Sequence, residues 1–324
     1  MYRSTITKET IHSASPMDVL IVGSIAYDSV ESPEGRVEEA LGGSATYGGI
    51  ACRLAADRLG LESVGLVGVV GTDFTDEDRA ILGDVGLDLR GIETAEGSTF
   101  RWRGSYSGDM AEAETHETHL NVFEHFQPKV PDHARNPTIT FCANLHPALQ
   151  ARVLEQAKPS RISMLDTMNL WIDIATDELL EVMREVDILV INDGEVRMLA
   201  DDDDLVRAGK AVMELTGVTC LIVKRGENGV IAFHAEGHFA LPAYPVERVI
   251  DPTGCGDTFA GTLAAHFANS SGVLSREELR EALVAATIAA SFTLESFGTG
   301  ALLAMSAADF EHRLSDYLGI VDPP

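Results

Sequence analysis

Basic residues are scarce in this chain of 324 residues. Its 24 Lys and Arg residues stand against 51 Asp and Glu residues, so the formal net charge is −27. Only five of the basic residues are lysines: Lys8, Lys129, Lys158, Lys210 and Lys224. Because so acidic a protein repels phosphate backbones, we expect no nucleic-acid partner. An anionic substrate would have to be held locally, by backbone N–H groups, a metal ion and a few placed cations.

Cysteines and long apolar runs are also few. The four cysteines, Cys52, Cys142, Cys220 and Cys255, show no Cys-x-x-Cys spacing, which predicts reduced thiols and no disulfide framework. No stretch approaches the ~20 apolar residues of a membrane span. Residues 1–16 have no apolar core and are interpreted as an N-terminal extension. We therefore predict a cytoplasmic location and no membrane partner.

Three common nucleotide-enzyme motifs are missing from the sequence. There is no Gly-x-x-x-x-Gly-Lys-Ser/Thr loop and no His-Arg-Asp catalytic loop, and Gly65, Gly68 and Gly71 lack the spacing of a dinucleotide fold. The P-loop, protein-kinase and dehydrogenase mechanisms are therefore excluded.

Short β-branched segments alternate with longer helical patterns along the chain. The pattern predicts strands at 18–22, 63–70, 138–142, 161–165, 187–191 and 219–223, and helices at 45–59, 147–156, 177–185, 204–215, 258–268 and 276–294. This alternation is typical of an α/β fold with a doubly wound, mainly parallel sheet and helices on both faces. We expect a single α/β domain over residues 17–320. Two inserted segments, 26–41 and 97–126, break the rhythm and are predicted to form a small β-sheet lid.

The most informative segment is Asp-Pro-Thr-Gly-Cys-Gly-Asp-Thr-Phe-Ala-Gly at 251–261, between a predicted strand at 247–250 and a helix. Gly254 and Gly256 allow successive N–H groups at the helix start to converge on one anion. Asp257, in the first turn, is positioned to accept a proton from an attacking hydroxyl. A plain Gly-rich turn with a dipole-favoured acid is the alternative, but it would not require the whole string.

This segment resembles the C-terminal signature of the ribokinase/PfkB family of carbohydrate and nucleoside kinases, Asp-Thr-x-Gly-Ala-Gly-Asp-x-Phe. Residues 41–55 are similar to the N-terminal signature of that family. The resemblance implies a ribokinase-like fold and transfer of a phosphoryl group from ATP, with Mg²⁺, to a hydroxymethyl group of a sugar or nucleoside. Asp257 would be the general base, and Gly254, Cys255 and Gly256 would form the anion hole. The family also suggests a homodimer paired through the lid.

The resemblance assigns the acceptor to the N-terminal half of the chain. Asp28 matches the acidic residue that grips substrate hydroxyls, and carboxylates suit that role as double acceptors. Gly42 and Gly43 match the turn against which the substrate lies. Tyr47 replaces an Asn found in many members, and would either stack on a nucleobase or pack against the lid. Arg103 is a candidate to close over an anionic substrate group, the alternative being an exposed lid face.

The nucleotide would lie against two later segments. Asn192 and Glu195 match the family's Asn-x-x-Glu, associated with hydrated Mg²⁺ and the ATP phosphates, although they could simply cap a helix. Lys224, Gly226 and Gly229 resemble the nucleotide loop, and a hairpin turn at the same place is compatible with that role.

Smaller features complete the prediction. The resemblance suggests a monovalent cation, K⁺, near Asp251 and Thr253. Cys255 stands where the family usually has Ala, and is either a thiol of lowered pKa at a helix N-terminus or, as we favour, a space-filler. Asp166 is given a supporting role in the cleft. A polyol or sugar phosphate as acceptor, ADP as donor, and a non-catalytic nucleotide-sensing protein remain alternatives.

Overall fold

The computed structural model describes residues 15–108 and 110–322. Most of the expected N-terminal extension therefore lies outside the described residues. The described residues form thirteen strands: β1 (Val19–Val22), β2 (Ala26–Ser32), β3 (Gly35–Gly42), β4 (Val64–Gly71), β5 (Asp88–Ala95), β6 (Phe100–Tyr106), β7 (Ala113–His119), β8 (Ile139–Cys142), β9 (Ile162–Leu165), β10 (Ile188–Asn192), β11 (Cys220–Lys224), β12 (Val230–His234) and β13 (Gly237–Leu241).

Eleven α-helices lie within the described residues: α1 (Ser44–Leu59), α2 (Asp76–Asp84), α3 (Pro147–Ala157), α4 (Asn169–Ile174), α5 (Thr176–Met183), α6 (Asp193–Ala200), α7 (Leu205–Thr216), α8 (Cys255–Ala268), α9 (Arg276–Thr293), α10 (Gly300–Ala304) and α11 (Ala307–Val321). Short 3₁₀ helices occur at Asn121–His125, Asp132–Ala134 and Gly226–Asn228. None of the helices in the described part of the chain is long and apolar enough to cross a membrane.

Nine strands form one sheet in the order β13-β12-β11-β10-β9-β8-β1-β4-β5. All neighbours are parallel from β11 to β5, while β12 and β13 add an antiparallel edge. The six predicted strands correspond to β1, β4, β8, β9, β10 and β11, and the predicted doubly wound, mainly parallel sheet is confirmed.

The central strands are apolar on both faces because both faces are covered. In β10, Ile188 and Val190 pack into the core with α1, α8 and α9, whereas Leu189 and Ile191 pack with α5 and α7 on the other side. Successive side chains of a strand point to opposite faces, so a continuous apolar run places helices on both sides. This packing brings the polar residues that follow the strands to one edge of the sheet.

The remaining four strands form a separate sheet in the order β3-β2-β6-β7, which confirms the predicted lid. It is built from the two inserted segments, with β2 parallel to β6 and the other pairs antiparallel. Every residue of edge strand β7 is exposed. Dimerisation through this sheet stays a prediction.

The expected strand at 247–250 is wrong. No strand occurs between β13 and α8; instead the backbone N–H of Ile250 donates to Leu294 O (2.7 Å), and Ser32 Oγ donates to Ile250 O (2.7 Å). Pro245 and Pro252 flank this segment and lack the N–H that would extend a strand ladder beyond it on either side. The segment is therefore a loop fixed between the C-terminal end of α9 and the tip of the β2–β3 hairpin.

Candidate active site

The loop at 251–257 enters α8 through Gly254, whose φ of 75° places it in the left-handed region. A Cβ at Gly254 would overlap the ring of Tyr47. At Gly256, a Cβ would lie 3.2 Å from Nζ of Lys224. Glycine is therefore required at 254 by backbone angle and space, and at 256 it leaves room for an approaching group beside a cation. α8 begins at Cys255, three residues before the predicted start, because Gly254 already ends the loop.

Asp257 lies in the first turn of α8, beside the two glycines. Burial and, to a smaller extent, the carboxylate of Asp166 raise the pKa of Asp257 to about 7, with Lys224 opposing the shift. A carboxyl group whose pKa is close to the working pH is well matched to accept a proton during a reaction. The geometry thus brings together an acid–base group and a helix N-terminus that favours anions.

Asp28 faces this loop from the lid strand β2. Its Oδ2 accepts a hydrogen bond from the N–H of Gly43 (3.3 Å), and a Cβ at Gly42 would overlap the same carboxylate. Burial raises the pKa of Asp28 to about 7, the N–H of Gly43 opposes the shift, and the carboxylates of Asp251 and Asp257 add to it. The predicted acceptor residues Asp28, Gly42 and Gly43 therefore lie together, close to Asp257.

Tyr47 is inside the protein, with only 1 % of its surface exposed. Its ring packs against Gly254, so the expectation that it stacks on a nucleobase is not supported, and its packing is against the loop rather than the lid. Burial raises the pKa of Tyr47 well above its usual value, with Asp28, Asp251 and Asp257 contributing. The buried ring of Tyr47 thus supports the glycine loop from the interior of the protein.

Asn192 and Glu195 form a capping box at the start of α6. The N–H of Glu195 donates to Asn192 Oδ1 (2.8 Å), and the N–H of Asn192 donates to Glu195 Oε2 (2.7 Å). The helix-cap interpretation is therefore confirmed, and it leaves acceptor capacity on the carboxylate for a further ligand. Burial raises the pKa of Glu195 to about 7, with Asp166 adding to the shift and Lys224 opposing it.

Gly226 and Gly229 belong to the tight turn between β11 and β12. Their φ angles are 51° and 81°, and a Cβ at Gly229 would overlap the carbonyl of Leu241. The hairpin turn is confirmed, whereas contact with a nucleotide stays a prediction.

Lys224 forms an ion pair that the sequence did not reveal. Its Nζ donates to Asp166 Oδ2 (2.7 Å), and Asp166 is buried. Lys224 and Asn192 are register partners at the ends of β11 and β10, and Asp166 directly follows β9. Parallel strands end at one edge of the sheet, where ligands bind in such folds. Asp166, which sequence analysis gave only a supporting role, is therefore a central charge of the site.

Asp251 and Thr253 are held close together beneath the lid. Asp251 Oδ1 accepts from Thr253 N–H (2.9 Å) and Oδ2 from Gly298 N–H (3.4 Å), and burial raises the pKa of Asp251 above its usual value. Thr253 Oγ1 donates to Tyr106 Oη (3.3 Å), a lid residue that sequence analysis missed. Nothing in the sequence marks Tyr106 except its place on the alternating lid strand.

One expectation requires correction, that for Arg103, whereas the favoured interpretation of Cys255 as a space-filler is supported. Arg103 is the register partner of Ser29, the residue after Asp28, so it points to the opposite face of the lid sheet, where it pairs with Glu38 (2.8 Å). The structure does not bring Arg103 into the acceptor site. Cys255 has no lowered pKa: burial raises the pKa of its thiol to about 12, and Sγ donates to Ala290 O (3.6 Å). Cys255 fills space.

The donor atoms of the site suit a hard cation that keeps much of its water. Within residues 15–108 and 110–322, no three His, Cys, Asp or Glu side chains are grouped to hold a metal ion. Mg²⁺ in phosphate-transfer sites takes one or two carboxylates together with water and substrate phosphates. Buried Glu195, beside Lys224 and Asp166, fits that limited role.

Comparisons with known proteins agree on one family. A family model described as pfkB family carbohydrate kinase matches residues 17–305. The cytidine kinase of Thermococcus kodakarensis is 28% identical over 257 residues, covering 78% of this chain and 88% of that protein.

Solved structures show the same fold. The nucleoside kinase of Burkholderia thailandensis in complex with inosine has a TM-score of 0.75 at 20% identity, covering 93% of this chain and 99% of that one. A candidate ribokinase II of Escherichia coli in complex with ATP and Mg²⁺ has a TM-score of 0.72 at 20% identity, covering 93% and 99%.

Proposed function

The chain belongs to the pfkB family of carbohydrate kinases, and we propose that it transfers the γ-phosphoryl group of ATP to a hydroxymethyl group of a nucleoside or a sugar. The cytidine kinase relative, which matches over most of both chains, makes a nucleoside the favoured acceptor. The observation that supports the reaction best is the position of Asp257, a buried carboxyl group with a pKa raised to about 7, beside Gly254 and Gly256 at a helix start.

Asp257 acts as the general base in this mechanism. The acceptor hydroxyl loses its proton to Asp257 and its oxygen forms a bond to the γ-phosphorus, while the bond from phosphorus to the β–γ bridging oxygen breaks and ADP leaves. A positioned base of this kind contributes ~10²–10⁴-fold to the rate.

The backbone N–H groups at Gly254, Cys255 and Gly256 stabilise the charge on the transferring group. They are fixed by the start of α8 and by Tyr47 beneath Gly254, so they need not reorganise during the reaction.

Asp28 orients the acceptor. Its carboxylate, held by Gly43 N–H, accepts hydrogen bonds from substrate hydroxyls, and Gly42 leaves the space that this requires. Asn192 and Glu195 are the residues that would hold a hydrated Mg²⁺, which would supply positive charge to offset the phosphate oxygens. Asp251 and Thr253 are the residues at which a monovalent cation such as K⁺ would bind.

The lid excludes water. The contact between Tyr106 and Thr253 joins the lid strand β6 to the glycine loop, and Ser32 joins the β2–β3 hairpin to Ile250. A closed site favours transfer to the acceptor over hydrolysis of ATP.

The test is ADP release by purified protein with Mg·ATP against nucleosides, sugars, polyols and sugar phosphates. Release that requires one acceptor, and that is lost in Asp257→Asn, is the expected result. Glu38→Gln, a substitution at the exposed partner of Arg103, is the matched control and should keep full activity. Binding of ATP without transfer to any acceptor would refute the proposal and favour a nucleotide-sensing protein.

A further inference from the structure

The active site contains many acids and very little positive charge. Within the described ranges, Lys224 is the only basic side chain that lowers the pKa of any of the five buried site carboxyl groups, which are Asp28, Asp166, Glu195, Asp251 and Asp257. The net charge of −27 gives an approaching polyphosphate no help from the rest of the molecule. The placement of this one ammonium group therefore matters to any phosphate chemistry here.

Lys224 does not extend along the turn that contains Gly226 and Gly229. Its Nζ lies 3.2 Å from the point where a Cβ of Gly256 would be, so the ammonium group is next to the second glycine of the loop. A phosphoryl oxygen bound by the N–H groups of that loop would be within hydrogen-bonding reach of Nζ. Asp257 follows Gly256 in the chain, so the ammonium group at the end of β11 lies beside the helix turn that contains the base.

Asp166 holds Lys224 in this place. Its Oδ2 accepts from Lys224 Nζ (2.7 Å), its Oδ1 accepts from Thr167 N–H (2.8 Å), and its carbonyl accepts from Gln150 Nε2 (2.9 Å). Backbone and side chain of Asp166 are thus both anchored. Burial opposes the charged form of Lys224, but Asp166 and Glu195 outweigh it, so the pKa of the ammonium is raised above its usual value.

We propose that Lys224 is a catalytic residue that binds the phosphoryl group during its transfer over Gly254–Gly256, and that Asp166 is the positioning residue of Lys224. The inference rests on the proposed phosphotransfer. Lys224 keeps its proton and donates hydrogen bonds to the oxygens of the moving group, while the acceptor proton goes to Asp257 and the electron pair of the broken bond leaves with ADP. This role differs from lining a nucleotide, because the contact strengthens as charge develops in the transition state.

A purely structural ion pair is the alternative, and single substitutions do not separate the two. Lys224→Met leaves Asp166 as a buried charge without its partner, which destabilises a protein by itself. The double variant Lys224→Met/Asp166→Asn removes both charges, and such replacement of a buried pair is often tolerated. It therefore keeps the fold while it removes the cation.

The experiment compares wild type, Lys224→Arg, Asp166→Asn and the double variant by thermal unfolding and by steady-state kinetics with the best acceptor. We expect the double variant to unfold near the wild-type temperature but to lose ~10²–10³-fold in kcat, the loss typical of one anion-hole donor, with the acceptor KM unchanged. Lys224→Arg should recover part of that kcat. Asp166→Asn should lower kcat by a smaller factor.

A folded double variant with wild-type kcat would overturn the proposal, and so would a change confined to the KM for ATP, since that is what a residue lining the nucleotide would give. A wild type that transfers phosphate to no acceptor would refute the proposed function and this inference together. Wild-type transfer with an equally active double variant would refute the inference alone.

Discussion

Asp257→Asn should inactivate the protein and at the same time stabilise it. Burial, together with the carboxylate of Asp166, raises the pKa of Asp257 from its usual 3.8 to about 7 in the folded state. Because its pKa is higher in the folded than in the unfolded state, the protonated Asp257 carboxyl group favours folding. This contribution to the free energy of unfolding is complete below pH 3.8 and is lost as the pH rises through about 7. Above that pH the ionised carboxylate opposes folding.

The size of this effect follows from the shift. About three pKa units at ~1.36 kcal/mol each give an upper value of about 4 kcal/mol at pH 8, and Asn keeps nearly the same shape without the charge. The gain in unfolding free energy of Asp257→Asn over wild type should therefore be largest at pH 8 and should shrink steadily from pH 7 towards pH 4.

Urea unfolding at several pH values, without nucleotide or metal, measures this difference. Asp202→Asn is the matched control, because its hydrogen bond with Arg207 lowers the pKa of Asp202, and its ionised form therefore favours folding. That control should show no gain at pH 8. A gain for Asp257→Asn that does not vary with pH, or a loss of stability at pH 8, would refute the assignment of a strained buried carboxylate at this position.

Three further results are expected. Arg103→Ala should leave kcat and the acceptor KM unchanged in steady-state assays, because Arg103 pairs with Glu38 on the face of the lid sheet opposite Asp28; a raised acceptor KM would restore its predicted substrate role. Gly254→Ala should lower the free energy of unfolding by ~1–2 kcal/mol for the left-handed backbone and by ~1–3 kcal/mol for overpacking against Tyr47, which a lower unfolding temperature would report. It should also lose most of its activity; a fully active variant would show that the loop geometry is not needed. The pH profile of kcat/KM should fall on the acid side with an apparent pKa near 7, since Asp257 must be ionised to accept a proton; a profile flat down to pH 5 would exclude it as the base.

Local pattern predicted much of the fold. The parallel strands were recognisable because each is an apolar run short enough to be a strand and is followed by a helical period. The lid was recognisable because Thr99 begins a segment that alternates polar and apolar residues. The same reasoning wrongly predicted a strand at 247–250. Its apolar residues belong to a loop that is held by a hydrogen bond from Ile250 N–H to Leu294 O, an atom distant in sequence.

The sequence predicts a site residue well when the role of that residue depends only on its own local segment. Gly254, Gly256 and Asp257 lie in one loop, and backbone freedom with a helix start is enough to suggest their chemistry. The ion pair of Lys224 with Asp166 spans 58 positions and depends on the order and register of β9, β10 and β11, which no local pattern contains.

Tyr47 illustrates the same limit at the level of packing. Whether its ring meets solvent, the lid or the glycine loop depends on how closely α1 approaches α8. That approach is very close, since a Cβ at Gly261 would overlap the carbonyl of Gly48. The sequence shows small residues on both helices, but not that the two helices meet or that the ring ends beneath Gly254.

The distribution of charge in the site also bears on the acceptor. In the described part of the chain, the shifts of the Asp28 carboxyl group come from burial, the N–H of Gly43 and the carboxylates of Asp251 and Asp257, with no basic side chain among them. Arg103, the residue expected to meet an anionic group, faces the other way. A phosphate group on the acceptor would thus lie among these carboxylates with no basic side chain to offset its charge. Neutral hydroxyl groups, by contrast, can donate hydrogen bonds to the carboxylates. Under the proposed function we therefore expect an uncharged nucleoside or sugar to be a better acceptor than a sugar phosphate, with Lys224 contacting the phosphoryl group that arrives with ATP.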